Sequence, residues 1–177
     1  AGTFLPVKSQ FIEGHKMHTE PFSVSLAMLK TLHSALSEGK PIISVGTTST
    51  RTLESLYFIG VHCIETGTPS DVEQWEPYRE EGYSYSSSQS IFAIIKYLED
   101  NNLKELISRT GIIIVPGYKF NIIDYLVTNF HQPQSTLLLL ISAFVGEGNW
   151  QKIYDYALAN GFRFLSYGDS SLLKRVG

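Results

Sequence analysis

The chain has 177 residues, 43% apolar and 18% charged, with a formal net charge of -3 and a pI near 5.9. That balance excludes a disordered chain and fits one domain with a sizeable core. It also excludes a general nucleic-acid-binding surface, so any contact with RNA needs a local basic patch or one borrowed from elsewhere.

Cys63 is the only cysteine. No intrachain disulfide forms, which fits a reducing, cytoplasmic setting. The longest apolar run, 137–145, is broken by Ser142. It falls well short of the roughly 20 residues that a membrane helix needs. No basic leader with an apolar stretch is visible. The opening Ala1-Gly2-Thr3-Phe4-Leu5-Pro6-Val7 reads like the middle of a strand, with no initiator Met before it. A fragment of a longer chain is the expectation.

In chain order, strand and helix signals alternate as in α/β proteins. A short strand is predicted over 4–7. A helix follows over 23–37, where Leu26, Leu29, Leu32 and Leu36 recur at helical spacing before Gly39 and Pro41. A buried-type strand over 42–45, a helix over 49–59 and a strand over 61–64 come next. Residues 67–88 lack periodicity and read as a long loop or insertion. Helical pieces are predicted near 89–98 and 103–108, strands at 112–115 and 123–130, helices at 136–144 and 150–159, and a last strand at 162–167. The whole, 1–177, reads as a single α/β segment with mostly parallel strands, barrel-like but only partial.

Several of these strands end in polar turns: Gly46-Thr47-Thr48-Ser49, Pro116-Gly117-Tyr118, Asn129-Phe130-His131 and Tyr167-Gly168-Asp169. In parallel sheets and barrels the site lies at such strand ends, so one shared rim is expected. Loops are polar in any case, which is the plainer explanation. The Gly46–Arg51 junction offers free amides, hydroxyls from Thr47, Thr48 and Ser49, and the charge of Arg51 for an anion. Simple capping by Thr48 or Ser49 is the alternative. It is not a nucleotide phosphate loop, because the G-x-x-x-x-G-K pattern is absent.

His15-Lys16-Met17-His18-Thr19-Glu20 places His18 and Glu20 on one face if extended. Acid–base or substrate-holding chemistry suits it better than a metal, since no second ligand cluster with zinc spacing is evident. A solvated polar stretch explains it too. Val127, Asn129 and His131 are expected on one side of their strand, with Thr128 and Phe130 on the other. Ser135 reads as the cap of the next helix. A histidine at a strand end is an acid–base candidate. His33 and His62 read as packing residues. Arg163, between Phe162 and Phe164, needs a carboxylate or an anionic substrate as its partner. The aromatic residues of 150–159 read as core.

Six segments, in order, resemble motifs of the S-adenosylmethionine:tRNA ribosyltransferase-isomerase family. Gly2-Thr3-Phe4-x-Pro6-Val7 is similar to G-T-F-x-P-V, and His15-x-Met17-His18-x-Glu20 to H-x-M-H-x-E. Val45-Gly46-Thr47-Thr48-Ser49-x-Arg51-x-Leu53-Glu54 resembles V-G-T-T-x-x-R-x-L-E, and Pro116-Gly117-Tyr118-x-Phe120 resembles P-G-Y-x-F. The stretch from Thr128 to Leu138 resembles T-N-F-H-x-P-x-S-T-L-L, and Arg163 to Asp169 resembles R-F-x-S-Y-G-D.

The resemblance implies the C-terminal half of a cytoplasmic enzyme of queuosine biosynthesis. That enzyme moves the ribosyl part of S-adenosylmethionine, a co-substrate, to a 7-aminomethyl-7-deazaguanine in tRNA and isomerises it. Epoxyqueuosine forms, with release of adenine and methionine; no metal and no further cofactor are implied. As catalytic candidates it implies His131 and His18, with Glu20 and Asp169 orienting them or holding the ammonium group. Thr47, Thr48 and Arg51 are implied for an anion, and Tyr118, Asn129, Ser135, Thr136 and Arg163 for substrate.

Three departures stand out: the family's N-terminal half is absent, the stretch 67–109 is longer than usual, and Gln132 and Ser170-Ser171 replace Leu and Ala-Met. A non-catalytic tRNA- or nucleotide-binding fragment is the alternative, and an unrelated sugar-phosphate barrel enzyme comes last. Sheet edges left open by a missing half imply self-association.

Overall fold

The computed structural model describes residues 17–79, 82–132 and 135–176. The strand expected at 4–7, its G-T-F-x-P-V motif, His15, Lys16, Pro133 and Gln134 lie outside the described residues.

Two small sheets and five α-helices form a mixed α/β fold among the described residues. Strand β1 (Glu20–Ser25) runs antiparallel to β3 (Glu105–Thr110), with Glu20 opposite Thr110. Helix α1 (Leu26–Ser37) starts directly from β1, and the Ser25 hydroxyl accepts the Met28 N–H to cap it. The second sheet has the order β2 (Ile43–Val45), β4 (Tyr125–Asn129), β5 (Ser170–Lys174). Its β2–β4 pairing is parallel and its β4–β5 pairing antiparallel. Helices α2 (Thr47–Thr66), α3 (Ser87–Asp100), α4 (Thr136–Val145) and α5 (Asn149–Ala159) complete the fold.

The α/β class is therefore as expected, but the mostly parallel, barrel-like arrangement is not: one of three strand pairings is parallel. The reason is legible in burial. Strand β3 alternates, with Leu106, Ser108 and Thr110 inside and Glu105, Ile107 and Arg109 outside. Such one-sided strands suit antiparallel sheets, not doubly covered parallel ones. The same period of two overturns the helix expected at 103–108.

Other expectations also change. The strand at 61–64 is the last part of α2, which runs unbroken through Gly60. Gly60 is a contact there and not a stop: a Cβ on it would lie 2.2 Å from the Ser90 carbonyl oxygen of α3. Residues 112–115 form no ladder. Their polar groups go to Gln74, Tyr78 and Arg51 instead. Residues 162–167 hold a 3-10 turn, Leu165–Tyr167, and the last strand comes after it.

The core lies where α2 packs on α3, built from Leu56, Ile59, Ile91, Ile94 and Leu98, and continues under β4 through Leu126, Ile141 and Phe144. Each such side chain contributes roughly 1.5–3 kcal/mol by leaving water. The opposite face of the three-stranded sheet is open. Ile43, Val45 and Leu172 on it are 55%, 67% and 65% exposed, while Ser44, Leu126 and Leu173 behind it are buried. Among the described residues no helix is long and apolar enough to cross a membrane.

The tight α2–α3 crossing gives a test. Replacing Gly60 with Ala gains about 1 kcal/mol of helix propensity. The new methyl meets backbone, which cannot rotate away, so the expected net effect is a loss of about 2 kcal/mol. Thermal unfolding of Gly60→Ala should fall by roughly 4–8 °C. An unchanged midpoint contradicts the close approach.

Candidate functional site

Helix α2 organises the site. Its first residue, Thr47, follows Gly46, whose φ of 88° only glycine adopts easily. The Gly46 N–H donates to the Val127 carbonyl at 2.8 Å, which sets the start of α2 beside the end of β4. Because β2 and β4 are parallel, their C-terminal ends meet at one edge. Strand β5 is antiparallel and begins opposite Asn129, so Asp169 reaches the same edge from the other direction. Three of the four polar turns therefore share one rim: Gly46–Ser49, Asn129–His131 and Tyr167–Asp169.

The fourth does not. Tyr118 is buried and donates its hydroxyl to Glu54 Oε2 at 2.9 Å. Glu54 lies seven residues into α2, roughly 10 Å from Thr47 along the axis. It is fully buried and also accepts N–H bonds from Asn121 at 2.8 Å and from Ile122 and Ile123 at 3.0 Å. Burial pushes this carboxyl above its ordinary pKa, and the four donors pull the other way. Sequence reasoning gave Glu54 no role. A carboxylate among Leu53, Leu56 and Ile59 on a buried helix was the available signal.

At the rim, no side chain caps α2, so capping by Thr48 or Ser49 does not occur. Both lie exposed at the helix start, where free amides and the dipole favour an anion by about 0.3–1 kcal/mol. Thr47 is buried. Arg51 sits one turn on, roughly 6 Å along the axis. It is also buried, with Nε donating to the Ile112 carbonyl at 3.0 Å and Nη1 3.0 Å from Glu20 Oε1. Among the described residues neither terminal nitrogen makes a well-directed hydrogen bond. Burial lowers the Arg51 pKa and Glu20 opposes that. Glu20 is thus brought to Arg51, while His18, two residues earlier, is exposed.

His131 is held on two sides. Its backbone N–H donates to the Tyr154 hydroxyl at 3.0 Å, and Nε2 lies 3.0 Å from Thr128 Oγ1. The strand ends at Asn129, so the alternation expected to separate His131 from Thr128 does not reach it. The sequence reading gave neither Tyr154 nor Thr128 a part in holding His131. Tyr154 belongs to the core as expected, packed on Phe130 and Phe164. A buried phenol still needs a partner, which is the signal that a phenylalanine there would not give.

The remaining candidates are engaged by their own loops. Asn129 donates its amide to the Leu165 carbonyl at 2.7 Å. Asp169 accepts from the Arg163 amide at 2.5 Å and from its guanidinium at 3.1 and 3.2 Å. Arg163 therefore has its structural carboxylate, and each partner shifts the other toward the charged form. Ser135 caps α4 as expected, accepting from Leu137 at 3.1 Å, and Thr136 is buried behind it. Among the described residues no three His, Cys, Asp or Glu side chains converge as a metal set.

Burial lowers the pKa of His131, so its neutral form is favoured in the fold. The stability this contributes is present above the unfolded value of about 6.5 and is lost as pH falls through the lower folded value. A ring-proton NMR titration should place His131 below about 6.5, and Tyr154→Phe, which loosens the strand end, should move it toward that value. Titration at or above the ordinary value contradicts this environment.

The family model described as "Queuosine biosynthesis protein" matches residues 1–173. The S-adenosylmethionine:tRNA ribosyltransferase-isomerase of Caulobacter sp. is 39% identical over 176 residues, 99% of this chain and 36% of that protein. The Treponema denticola protein of the same name is 39% identical over 172 residues, 97% of this chain and 38% of its own length. A crystal structure of the S-adenosylmethionine tRNA ribosyltransferase of Thermotoga maritima superposes with a TM-score of 0.58 at 27% identity, covering 86% of this chain and 39% of that one. The chain spans 36% and 38% of these two curated relatives, less than the half that the motifs implied. With nearly its whole length matched, the chain belongs to the queuosine biosynthesis protein family.

Proposed function

We propose that this chain carries part of the active site of a tRNA-modifying transferase-isomerase. That enzyme moves the ribosyl moiety of S-adenosylmethionine to a 7-aminomethyl-7-deazaguanine in tRNA. The product is epoxyqueuosine, and adenine and methionine leave. The observation that carries the reading is the shared rim at the ends of β2 and β4, where an uncapped helix start and a doubly held histidine come to one edge.

The chemistry needs a base for the proton on the carbon beside the sulfonium and an acid for the departing adenine. His131, neutral and fixed, is one of this pair, and the exposed His18 is the other. The start of α2 with Thr47 and Thr48 takes an anion, either the methionine carboxylate or a tRNA phosphate. Arg51, whose two buried terminal nitrogens lack a well-directed acceptor among the described residues, draws such a group inward, and Glu20, 3.0 Å from Nη1, balances its charge. Asp169 with Arg163, Asn129, Ser135 and Thr136 shape the rim, and Tyr118 braces it from behind through Glu54. Residues 1–177 act as one α/β segment of a larger catalytic domain in the cytoplasm. The open face carrying Ile43, Val45 and Leu172 is covered by further protein, a second copy included.

The test is adenine release from S-adenosylmethionine with tRNA bearing the 7-aminomethyl-7-deazaguanine base, by the polypeptide carrying residues 1–177. Replacing His131 with Ala should lower turnover by about 10²–10⁴-fold while thermal stability changes little. Near-normal turnover removes His131 from the mechanism. No adenine release by the unaltered protein moves the reading to a non-catalytic tRNA- or nucleotide-binding fragment, which its short span of the relatives favours.

A further inference from the structure

The long stretch between α2 and α3 is not a free loop. The Val72 N–H donates to the Arg109 carbonyl at 3.1 Å, and the Val72 carbonyl accepts from Gly111 at 2.9 Å. The Gln74 carbonyl accepts from Ile113 at 3.2 Å, and a 3-10 turn follows over Glu76–Tyr78. These residues form a strap along β3 and its extension. The strap also touches the segment before β1: Gln74 Oε1 accepts the Met17 N–H at 2.9 Å, next to His18.

One side chain pins the strap to α2. His62, read from the sequence as packing, has both ring nitrogens engaged. Nε2 lies 2.6 Å from Glu76 Oε1, and Nδ1 lies 2.6 Å from the Ser70 hydroxyl. Ser70 precedes the strap and Glu76 lies within it, so this one ring ties the strap's first half to α2 from both sides.

We propose that His62 and Glu76 form a charge-dependent lock on the strap 71–78, and that the strap, through Gln74, is a positioning element for the His18–Glu20 segment. The lock stands on its own geometry; its bearing on turnover rests on the role proposed above for His18 and Glu20.

The surroundings set the sign. The Glu76 carboxylate, in contact with His62, raises the His62 pKa, against burial and the repulsion of Arg79. Burial pushes Glu76 up, but His62, the Glu73 N–H at 3.1 Å and Arg79 bring it below the ordinary carboxyl value. The Tyr83 hydroxyl donates to Glu76 at 3.4 Å, and Glu65 of α2 and Glu73 are the other acidic groups nearby. The raised His62 contributes stability that is complete below about 6.5 and is lost as pH rises through its folded value. The lowered Glu76 contributes stability that is present above the ordinary glutamate value of about 4.3 and is lost as pH falls through its own folded value. The lock is tightest between those limits and loosens on either side of them.

Hydrogen–deuterium exchange tests this directly, with rates corrected for the intrinsic effect of pH. Protection of 71–79 and of 17–25 should fall together, by about tenfold, as His62 loses its proton, while α3 stays protected. His62→Ala should leave both segments open at pH 6. Gln74→Ala should open 17–25 and leave 71–79 closed. Glu76→Gln should flatten the pH dependence. In the polypeptide carrying residues 1–177, Gln74→Ala should lower kcat at unchanged stability. Protection of 17–25 that ignores both His62→Ala and Gln74→Ala overturns the positioning role. Strap protection independent of pH in the unaltered protein overturns the lock, and this arm stands even if a variant fails to fold. Absence of adenine release with the exchange pattern intact counts against the proposed function alone.

Discussion

The fold depends on a polar seam along one face of α2. Arg51, Glu54 and Ser55 sit at i, i+3 and i+4, all buried. Glu54 gathers three successive amides, 121–123, and the Tyr118 hydroxyl. Arg51 holds the Ile112 carbonyl and Glu20, and Ser55 donates to Thr110 Oγ1 at 2.7 Å. A single helix face thus holds the end of β3, the chain beyond it and the approach to β4. Each donor left without its acceptor in this dry seam costs about 1–3 kcal/mol, a cost that the Arg51 terminal nitrogens already carry among the described residues. Such networks add little net stability beyond an apolar core, but they specify one arrangement.

That arrangement is what aligns the rim. With 121–123 fixed on α2, Asp124 accepts the Ile42 N–H at 3.0 Å and pairs with Arg175 at 3.2 Å. Both neighbours of β4 are thereby set in register at its N-terminal end. The consequence appears at the other end of the same strand, where Gly46, His131 and Asp169 come to one edge. The phenol of Tyr154 then fixes the amide of His131, and Asn129 and Arg163–Asp169 hold the returning chain. Rigid elements carry the candidate groups, and the loops between them are tied down by side chains of the same motifs.

Much of this was legible in the residues. Apolar periodicity located α1, α4 and α5 to within a few positions, and the cap at Ser135 was readable from its type and place. The family motifs named most of the rim. What escaped follows from contacts at long range. Gly60 looks like a helix stop until α3 packs against it. Residues 103–108 look helical until β1 pairs with them. The strand at 162–167 fails because Asn129 and Phe130 capture the Leu165 backbone, which adopts a φ of 63°. Among the strands of the described residues, parallel pairing, expected from the alternation of strands and helices, survives for β2 and β4 alone, joined by way of α2 and α3. Glu54, Thr128 and Tyr154 act through partners far away in sequence or around a turn, and no local pattern records that.

The central proposal is that one rim, and not the buried Tyr118–Glu54 cluster or the strap, receives S-adenosylmethionine. Amide chemical-shift mapping with S-adenosylhomocysteine, an unreactive analogue, tests it most directly. The account predicts that the largest shifts fall together on Thr47, Thr48, Asn129, His131 and Ser170. Shifts that spare these residues and gather along the strap or beside α5 would contradict it.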